Sequence, residues 1–492
     1  MRAYHRFLTL AGIVSLAAAP TLAQGQDLAG HPRVADAINL LDLWVDAQRA
    51  YEQIPGISVA AVYDQELLWS AGFGYADLET LRPATPATMY SICSISKLFT
   101  SVGAMQLRDQ GSFRLDDPVS SHLPWFQLDN AHSDGPAITV EGVLTHSAGI
   151  PRESDQPYWT APFDFPTHDD VVAGITNQET LYPAWKYFQY SNLGLTLAGE
   201  IVAEVSGLSY IDYVKERVLG PLGMNSTTPE IGEVQGTTKL ATGYSAMRRS
   251  GSREIVEPFE GRGIAPAMGF ASTVEDLAKF ASWQFRLLET GKEEVLQANT
   301  LREMHRVHFV DPGWTTTRGL GFNVSRRGEK TFVGHGGSCP GYRSNLDIQL
   351  DEKIATIAMT NAMINAGTFT RRAYEVLAPA IKAAKGESEE GKDETEGSEA
   401  TPAELEMYIG AYDSFPWGGE THVIPWKGGL AVVSFPTEDP LGGLARLKHI
   451  EGHTFRRIRD DESLGEERTF DVNSEGEVTR TWVHGNFSPR IR

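Results

Sequence analysis

The stretch MYSICSISKLFTSVG, residues 89–103, sets Ser94 three positions ahead of Lys97 at the head of an amphipathic segment. Leu98, Val102, Met105 and Leu107 follow at helical spacing, and Gly111 supplies a stop. Residues three apart on a helix share one face. A lysine there takes the serine proton only where desolvation or neighbouring charge lowers the ammonium pKa. The unsatisfied N–H groups of a helix start also favour developing negative charge. Capping explains a serine at this position equally well, with Lys97 then a surface charge. Taken alone, the pair leaves both readings standing.

Outward from this helix, the pattern sorts into strands at the ends and helices between. Residues 34–52 show helical apolar spacing, and GISVAAVY and LLWSAGFGY, around a DQ turn, read as a hairpin of two largely buried strands. Helical segments LGLTLAGEIVAEVSG, SYIDYVKERVLGPLG and TVEDLAKFASWQFRLLETG fill the middle, separated by Pro- and Gly-rich loops. EKTFVGHGG, RSNLDIQL and IATIAMTN return as strands, and a helix over 369–385 closes the region. This order predicts one antiparallel sheet covered by helices, an α/β (α+β) fold, across residues 30–385.

At 492 residues the chain exceeds one ordinary core, which predicts a second domain. Residues 386–401, GESEEGKDETEGSEAT, are too charged to bury anything and read as an acidic flexible linker. From Pro402 to Arg492, short strand-like runs such as THVIPW, GLAVVSF and VTRTWVH alternate with turn residues. Seven or eight strands in so short a span predict a small antiparallel barrel or sandwich. Trp417, Trp426 and Trp482 read as core aromatics of that domain, with a pocket lining as the other reading.

Composition narrows the function classes. A net charge of −21 argues against nucleic acid or an anionic membrane as partner, since phosphates would be repelled. Arg2 and Arg6 precede the apolar run FLTLAGIVSLAAAP, and TLA before Gln24 offers a cleavage site, so residues 1–23 read as a secretory signal peptide. No later stretch reaches the roughly 20 apolar residues of a membrane span. The expectation is an exported protein, periplasmic or secreted. Cys93 and Cys339 are the only cysteines, too few for a disulfide scaffold.

Two further groups stand out. Tyr190 and Asn192, in YFQYSNLGLTLAGEIV, sit just before a helix, where both polar tips can point into a cleft. The plainer reading is an Asn or Ser cap beside a packed Tyr. His335 ends a strand in FVGHGGSCPGYRS, and Gly336 and Gly337 after it permit close approach of another chain or a ligand. Alone, such glycines are more often a bulge or turn.

Ser94-x-x-Lys97, Tyr190-x-Asn192 and His335-Gly336-Gly337 occur in this order, and together the sequence resembles the class C β-lactamase type of penicillin-recognising serine hydrolases. That group includes D,D-carboxypeptidases, D-aminopeptidases and family VIII esterases. The flanks GYADLETLRPATPATMYSICSISKLFTSVGAMQLRDQG, VEGVLTHSAGIP, PAMGFASTVEDLAKFA and GLGF are similar too, over about residues 34–383. The resemblance implies a β-lactamase/transpeptidase-like fold in which Ser94 is the nucleophile and Lys97 helps remove its proton. It implies that Tyr190 shuttles a proton to the leaving group and later from water. Asn192 would hold a substrate carbonyl or amide, His335 would orient Tyr190, and backbone N–H groups of Ser94 and Ser338 would form the oxyanion hole. No cofactor or metal is implied, and the chain carries no H-E-x-x-H and no clustered Cys/His ligands.

The third motif departs from class C β-lactamases, which place Lys-Thr-Gly there. A neutral His grips a carboxylate less well than that cation. The pattern therefore implies the peptidase or esterase branch, acting on a small ester, peptide or peptidoglycan-derived substrate, with weak or no β-lactamase activity. The resemblance also brings Cys93 and Cys339 near the cleft, where a disulfide and two free thiols are both open. His146 reads as a structural, hydrogen-bonded histidine beside the cleft, and the aromatics of PYWTAPFDF (157–165) as a substrate wall, with a cover for the core as the other reading. The second domain would limit access to the cleft or assist assembly; by sequence it resembles the lipocalin-like appendages of this group. The rival reading is a non-catalytic peptide or peptidoglycan-fragment binding protein that kept the fold. An α/β-hydrolase would need G-x-S-x-G, which the chain lacks.

Overall fold

The computed structural model describes residues 28–386 and 401–492. The expected signal peptide and residues 387–400 of the expected linker lie outside the described residues. The elements that position the site are, in chain order, α1 (Pro32–Tyr51), β1 (Gly56–Tyr63), β2 (Glu66–Asp77), α2 (Ser96–Asp109) and α3 (Asn192–Ser206). They continue with α4 (Val274–Thr290), β3 (Lys330–Cys339), β4 (Tyr342–Gln349), β5 (Ile354–Thr360) and α5 (Ala366–Ala384).

The five strands form the centre of an antiparallel sheet in the order β2-β1-β5-β4-β3. Short strands extend it, Arg82–Pro83 beyond β2 and Asn323–Arg327, Thr317–Arg318 and Phe309–Val310 beyond β3. The ends of the region meet in the middle, where Ser58 pairs with Met359 and Ala60 with Ile357. β5 is buried along its whole length and β1 along all but its last residue. Helices cover both faces, so these strands read as continuous apolar runs, without alternation. On one face α1 and α5 pack through Leu41, Trp44, Phe369 and Leu377. On the other, α2, α3 and α4 share the larger core with Phe99, Phe270 and Phe280. Every residue of α2 from Ser96 to Met105 is buried. The helix expected to be amphipathic is enclosed on all sides over that span.

After Pro402, eight antiparallel strands run in sequence order from Gly410–Asp413 to Asn486–Pro489. A bridge between Tyr412 and Arg490 nearly closes them into a barrel. Its own core is small, built on Tyr408, Tyr412, Phe455 and Phe470. The barrel docks on the α1/α5 face, where Ile424, Val433 and Phe435 join the helix core. Trp44 Nε1 donates to Thr437 O at 2.9 Å, and Arg372 Nε to Glu438 O at 2.6 Å. Asp36 accepts from the Lys427 N–H at 2.7 Å. Trp426 packs against this junction, and Trp482 meets Phe487 at a tilt, ring centres 5.2 Å apart. The expectation of a core position fails for Trp417, which is 96% exposed. It lies in the turn before the strand Glu420–Trp426, where no second layer covers it. Among the described residues no helix is long and apolar enough to cross a membrane.

Candidate active site

Ser94 does not cap α2. It sits one turn earlier, in Cys93–Ile95, and makes no capping bond. Ser96 anchors that turn, donating from Oγ to Cys93 O at 2.6 Å and accepting from Phe270 N–H at 3.1 Å. Lys97, one helical turn on, is fully buried and places its Nζ 3.1 Å from Ser94 Oγ. Ser191 caps α3, accepting from Gly194 N–H at 2.8 Å. Asn192 is thereby released from capping, and its Oδ1 accepts from Lys97 Nζ at 2.8 Å.

Three polar contacts settle the proton arrangement. Asn192 Nδ2 donates to Glu153 Oε1 at 2.8 Å. A carboxylate only accepts, so the amide orientation is set and Oδ1 must face Lys97. Lys97 donates a second time to Ala267 O at 2.7 Å. Burial pushes the Lys97 pKa below its ordinary value, with Tyr190 and then Glu153 pulling it partly back. A neutral amine has two N–H donors and one lone pair. Once Lys97 is deprotonated, Asn192 and Ala267 take its two donors and the lone pair is left for the Ser94 hydroxyl. Such an arrangement can remove a proton from Ser94.

Tyr190 lies across this pair, with Lys97 Nζ 4.9 Å and the Arg152 guanidinium 4.9 Å from its ring centre. His146 stacks on the same ring at 4.3 Å, while His335 is 6.3 Å away. The imidazole stacked on Tyr190 is thus His146, with His335 a tilted ring neighbour farther off. His146 Nδ1 accepts from Ser191 N–H at 3.1 Å, which puts its proton on Nε2. Burial holds His146 well below the ordinary imidazole range, with Arg318 and Lys97 adding repulsion. His335 is pushed down to about 3, chiefly by burial and then by Lys97 and Arg318. Its Nδ1 donates to Gly336 O at 2.6 Å, since a carbonyl only accepts.

β3 brings the third motif alongside. A side chain at Gly337 would stand 2.1 Å from both Ile92 O and Ser344 Oγ, so only glycine permits the approach. At Gly336 the nearest atom to an added Cβ is Asn345 Oδ1 at 3.2 Å. Ser94 and Ser338 line one cleft of about 510 Å³, with Arg152, Trp159, Phe163 and Asn192 on its walls. Cys93 and Cys339 are joined in a disulfide, Cα atoms 5.7 Å apart. The aromatic loop divides its labour: Trp159 and Phe163 face the cleft, whereas Tyr158 and Phe165 are buried in the core. No residue of the barrel is among those lining the cleft, and the barrel sits against α1 and α5. A role in limiting access has no contact to work through in this geometry.

Asn192 lines the cleft and its amide also bridges Lys97 and Glu153, leaving one N–H donor and one lone pair beyond those two bonds. Glu153, Arg152 and the His146 stack carry no sequence pattern of their own. The available signal was a charged pair directly after LTHSAGIP. Among the described residues no cluster of three or more His, Cys, Asp or Glu side chains is arranged to hold a metal ion.

The chain is similar to known proteins over the same region. It is 29% identical over 335 residues to β-lactamase-like protein 2 of Dictyostelium discoideum, covering 66% of this chain and 60% of that protein. It is 25% identical over 337 residues to protein flp of Staphylococcus aureus, covering 66% and 63%. The matched stretch thus spans less than two thirds of either relative's length. Among solved structures, the octameric penicillin-binding protein homologue from Pyrococcus abyssi covers 92% of this chain and 99% of its own, at TM-score 0.60 and 23% identity. The D-amino acid amidase from Ochrobactrum anthropi covers 71% and 99%, at TM-score 0.57 and 24% identity. These likenesses show a shared fold. The β-lactamase family model matches residues 41–380, well over half of the chain, and the protein belongs to the β-lactamase family.

Proposed function

We propose that the protein is an exported serine hydrolase that cleaves an ester or amide bond through an acyl-enzyme on Ser94. The observation that carries this reading is the buried Lys97 nitrogen 3.1 Å from Ser94 Oγ, with both its other contacts to fixed acceptors. Lys97 takes the hydroxyl proton as Ser94 Oγ attacks the substrate carbonyl. The backbone N–H groups of Ser94 and Ser338 receive the oxyanion, each donor worth about 3 kcal/mol in acyl transfer. Tyr190 relays the proton to the leaving group, and the tetrahedral intermediate collapses to the acyl-enzyme. Water then attacks the ester, giving a proton to the same relay, and Ser94 is regenerated. His335, held neutral, supplies no fixed cation for a drug carboxylate, which supports the peptidase or esterase branch over strong β-lactamase activity.

The amidase among the structural neighbours supports a small amide as substrate, and the cleft volume suits a small molecule. The N-terminal signal and the disulfide support export to an oxidising compartment. A fluorophosphonate probe tests the reading: one label per chain, absent in Ser94→Ala, is expected. Full labelling of Ser94→Ala would refute the nucleophile, and no labelling of the wild type at any pH would favour a binding protein. A panel of p-nitrophenyl esters, D- and L-amino-acid anilides and nitrocefin then separates the branches. The result expected is turnover of esters or anilides, with nitrocefin poorest.

A further inference from the structure

We propose that the Cys93–Cys339 disulfide is a positioning device for acyl transfer, fixing the Ser94 turn against the Ser338 end of β3. The inference rests on the reading of Ser94 as nucleophile. Cys93 directly precedes Ser94, and Cys339 directly follows Ser338. Each half of the bridge is therefore one peptide away from a group that would hold the reacting carbonyl.

The strand needs such a tie. On one edge β3 pairs with β4 from Phe332, opposite Gln349, to Cys339, opposite Tyr342. On the other edge its strand partner, Asn323–Arg327, reaches only from Lys330 to Gly334. Residues 335–339 have no strand on that edge, and the Ser94 turn packs across the face that β3 and β4 share at Gly337 and Ser344. Contact across the gap is made by Gly337 against Ile92 O and by Ser344 Oγ, which donates to Ile92 O at 2.9 Å. Beyond that point the covalent link is the disulfide, whose cysteines are 0% and 3% exposed, with Ser91 Oγ 3.3 Å from Cys339 Sγ beside it. Cys93 also holds a left-handed backbone, φ +49°, which a side-chain-bearing residue adopts only when its surroundings impose it. Without the bridge, the Ser338 end is held to the Ser94 turn by noncovalent contacts alone, which set its spacing from Ser94 less tightly. A shift of about 1 Å at a reacting centre costs on the order of 100-fold in rate.

The test is the double variant Cys93→Ser/Cys339→Ser, with Cys93→Ala/Cys339→Val as the alternative should the first not fold. Both are assayed well below their unfolding midpoints, with circular dichroism confirming the fold. A merely structural bridge lowers the midpoint and leaves the kinetics alone. The positioning role predicts a kcat for p-nitrophenyl ester hydrolysis lower by roughly 10- to 100-fold, with KM changed far less. The rate of fluorophosphonate labelling falls in parallel. In the wild type, reduction with a phosphine, followed by iodoacetamide mass shift, lowers kcat in proportion to the thiols released, and reoxidation restores it. A folded double variant with kcat within about twofold of wild type, or one altered only in KM, overturns the proposal. Ser94→Ala in the bridged protein is read separately: retained activity there refutes the nucleophile and not the strap.

Discussion

Asn192 Oδ1 accepts a hydrogen bond from Lys97 Nζ at 2.8 Å, while the amide nitrogen of the same side chain donates to Glu153 at 2.8 Å. The carboxylate therefore sets which end of the amide faces the lysine, and the amide sets which face of the lysine nitrogen is left for Ser94. Glu153 acts on the reaction two contacts away. Glu153→Gln offers both a donor and an acceptor, so the amide is no longer held in one orientation. Steady-state kinetics should show kcat down about tenfold with KM nearly unchanged. Asn192→Ala, which strips Lys97 of a buried acceptor, should cost about 100-fold or more.

The pH dependence follows from Lys97. Burial lowers its pKa from the ordinary lysine value, so the neutral amine is present below the usual range near 10.4. The reactive form is the deprotonated one, and kcat/KM should rise with pH through that lowered value and level off below the range where a free lysine titrates. Lys97→Arg keeps a charge that cannot be shed. A pH–rate profile of that variant should show at least a 1000-fold loss and no ascending limb of this origin.

His305 makes a separate prediction about stability. It is fully buried, neither ring nitrogen has a hydrogen-bond partner, and the ring packs edge-on against Phe322 at 4.7 Å. Burial pushes its pKa down to about 3, against about 6.5 in the unfolded chain. Between these values the unfolded state binds the extra proton, so stability is fully present above about pH 6.5 and is lost as pH falls toward 3. The slope from one such group approaches about 1.4 kcal/mol per pH unit. Urea denaturation at pH 5 and pH 8 should show a smaller difference for His305→Leu than for wild type, with unchanged ester hydrolysis.

The two glycines of the third motif should separate cleanly. Gly337→Ala drives a methyl group to 2.1 Å from Ile92 O, and β3 must move off the Ser94 turn. Gly336→Ala meets only the end of the Asn345 side chain at 3.2 Å. Activity should fall about 100-fold or more in the first and less than tenfold in the second, measured at equal folded fraction.

Much of the fold was legible because it rests on local pattern. Ser94 and Lys97 are one turn apart, and the strands enclosed between helix layers announce themselves as unbroken apolar runs. The antiparallel sheet and the second β unit followed from strand order and spacing. What stayed hidden depends on contacts between distant segments. Glu153 reads as one more loop charge until the fold sets it against Asn192, and His146 reaches Tyr190 only when two loops meet. The anchoring of Asn192 to Lys97 and Glu153 cannot be seen along the chain either. Trp417 looked like core material, but a turn gives a large ring no neighbours. The last strand, Asn486–Pro489, is short and polar, and only its pairing with Val478–Val483 reveals it.

The central claim is a covalent ester on Ser94, and rapid-quench mass spectrometry of the protein mixed with a p-nitrophenyl ester measures it directly. The account predicts a burst of one p-nitrophenol per chain, with the acyl mass on the peptide that contains Ser94 and none in Ser94→Ala. Turnover of the ester with no acyl mass on that peptide, or with the mass on another residue, would contradict it.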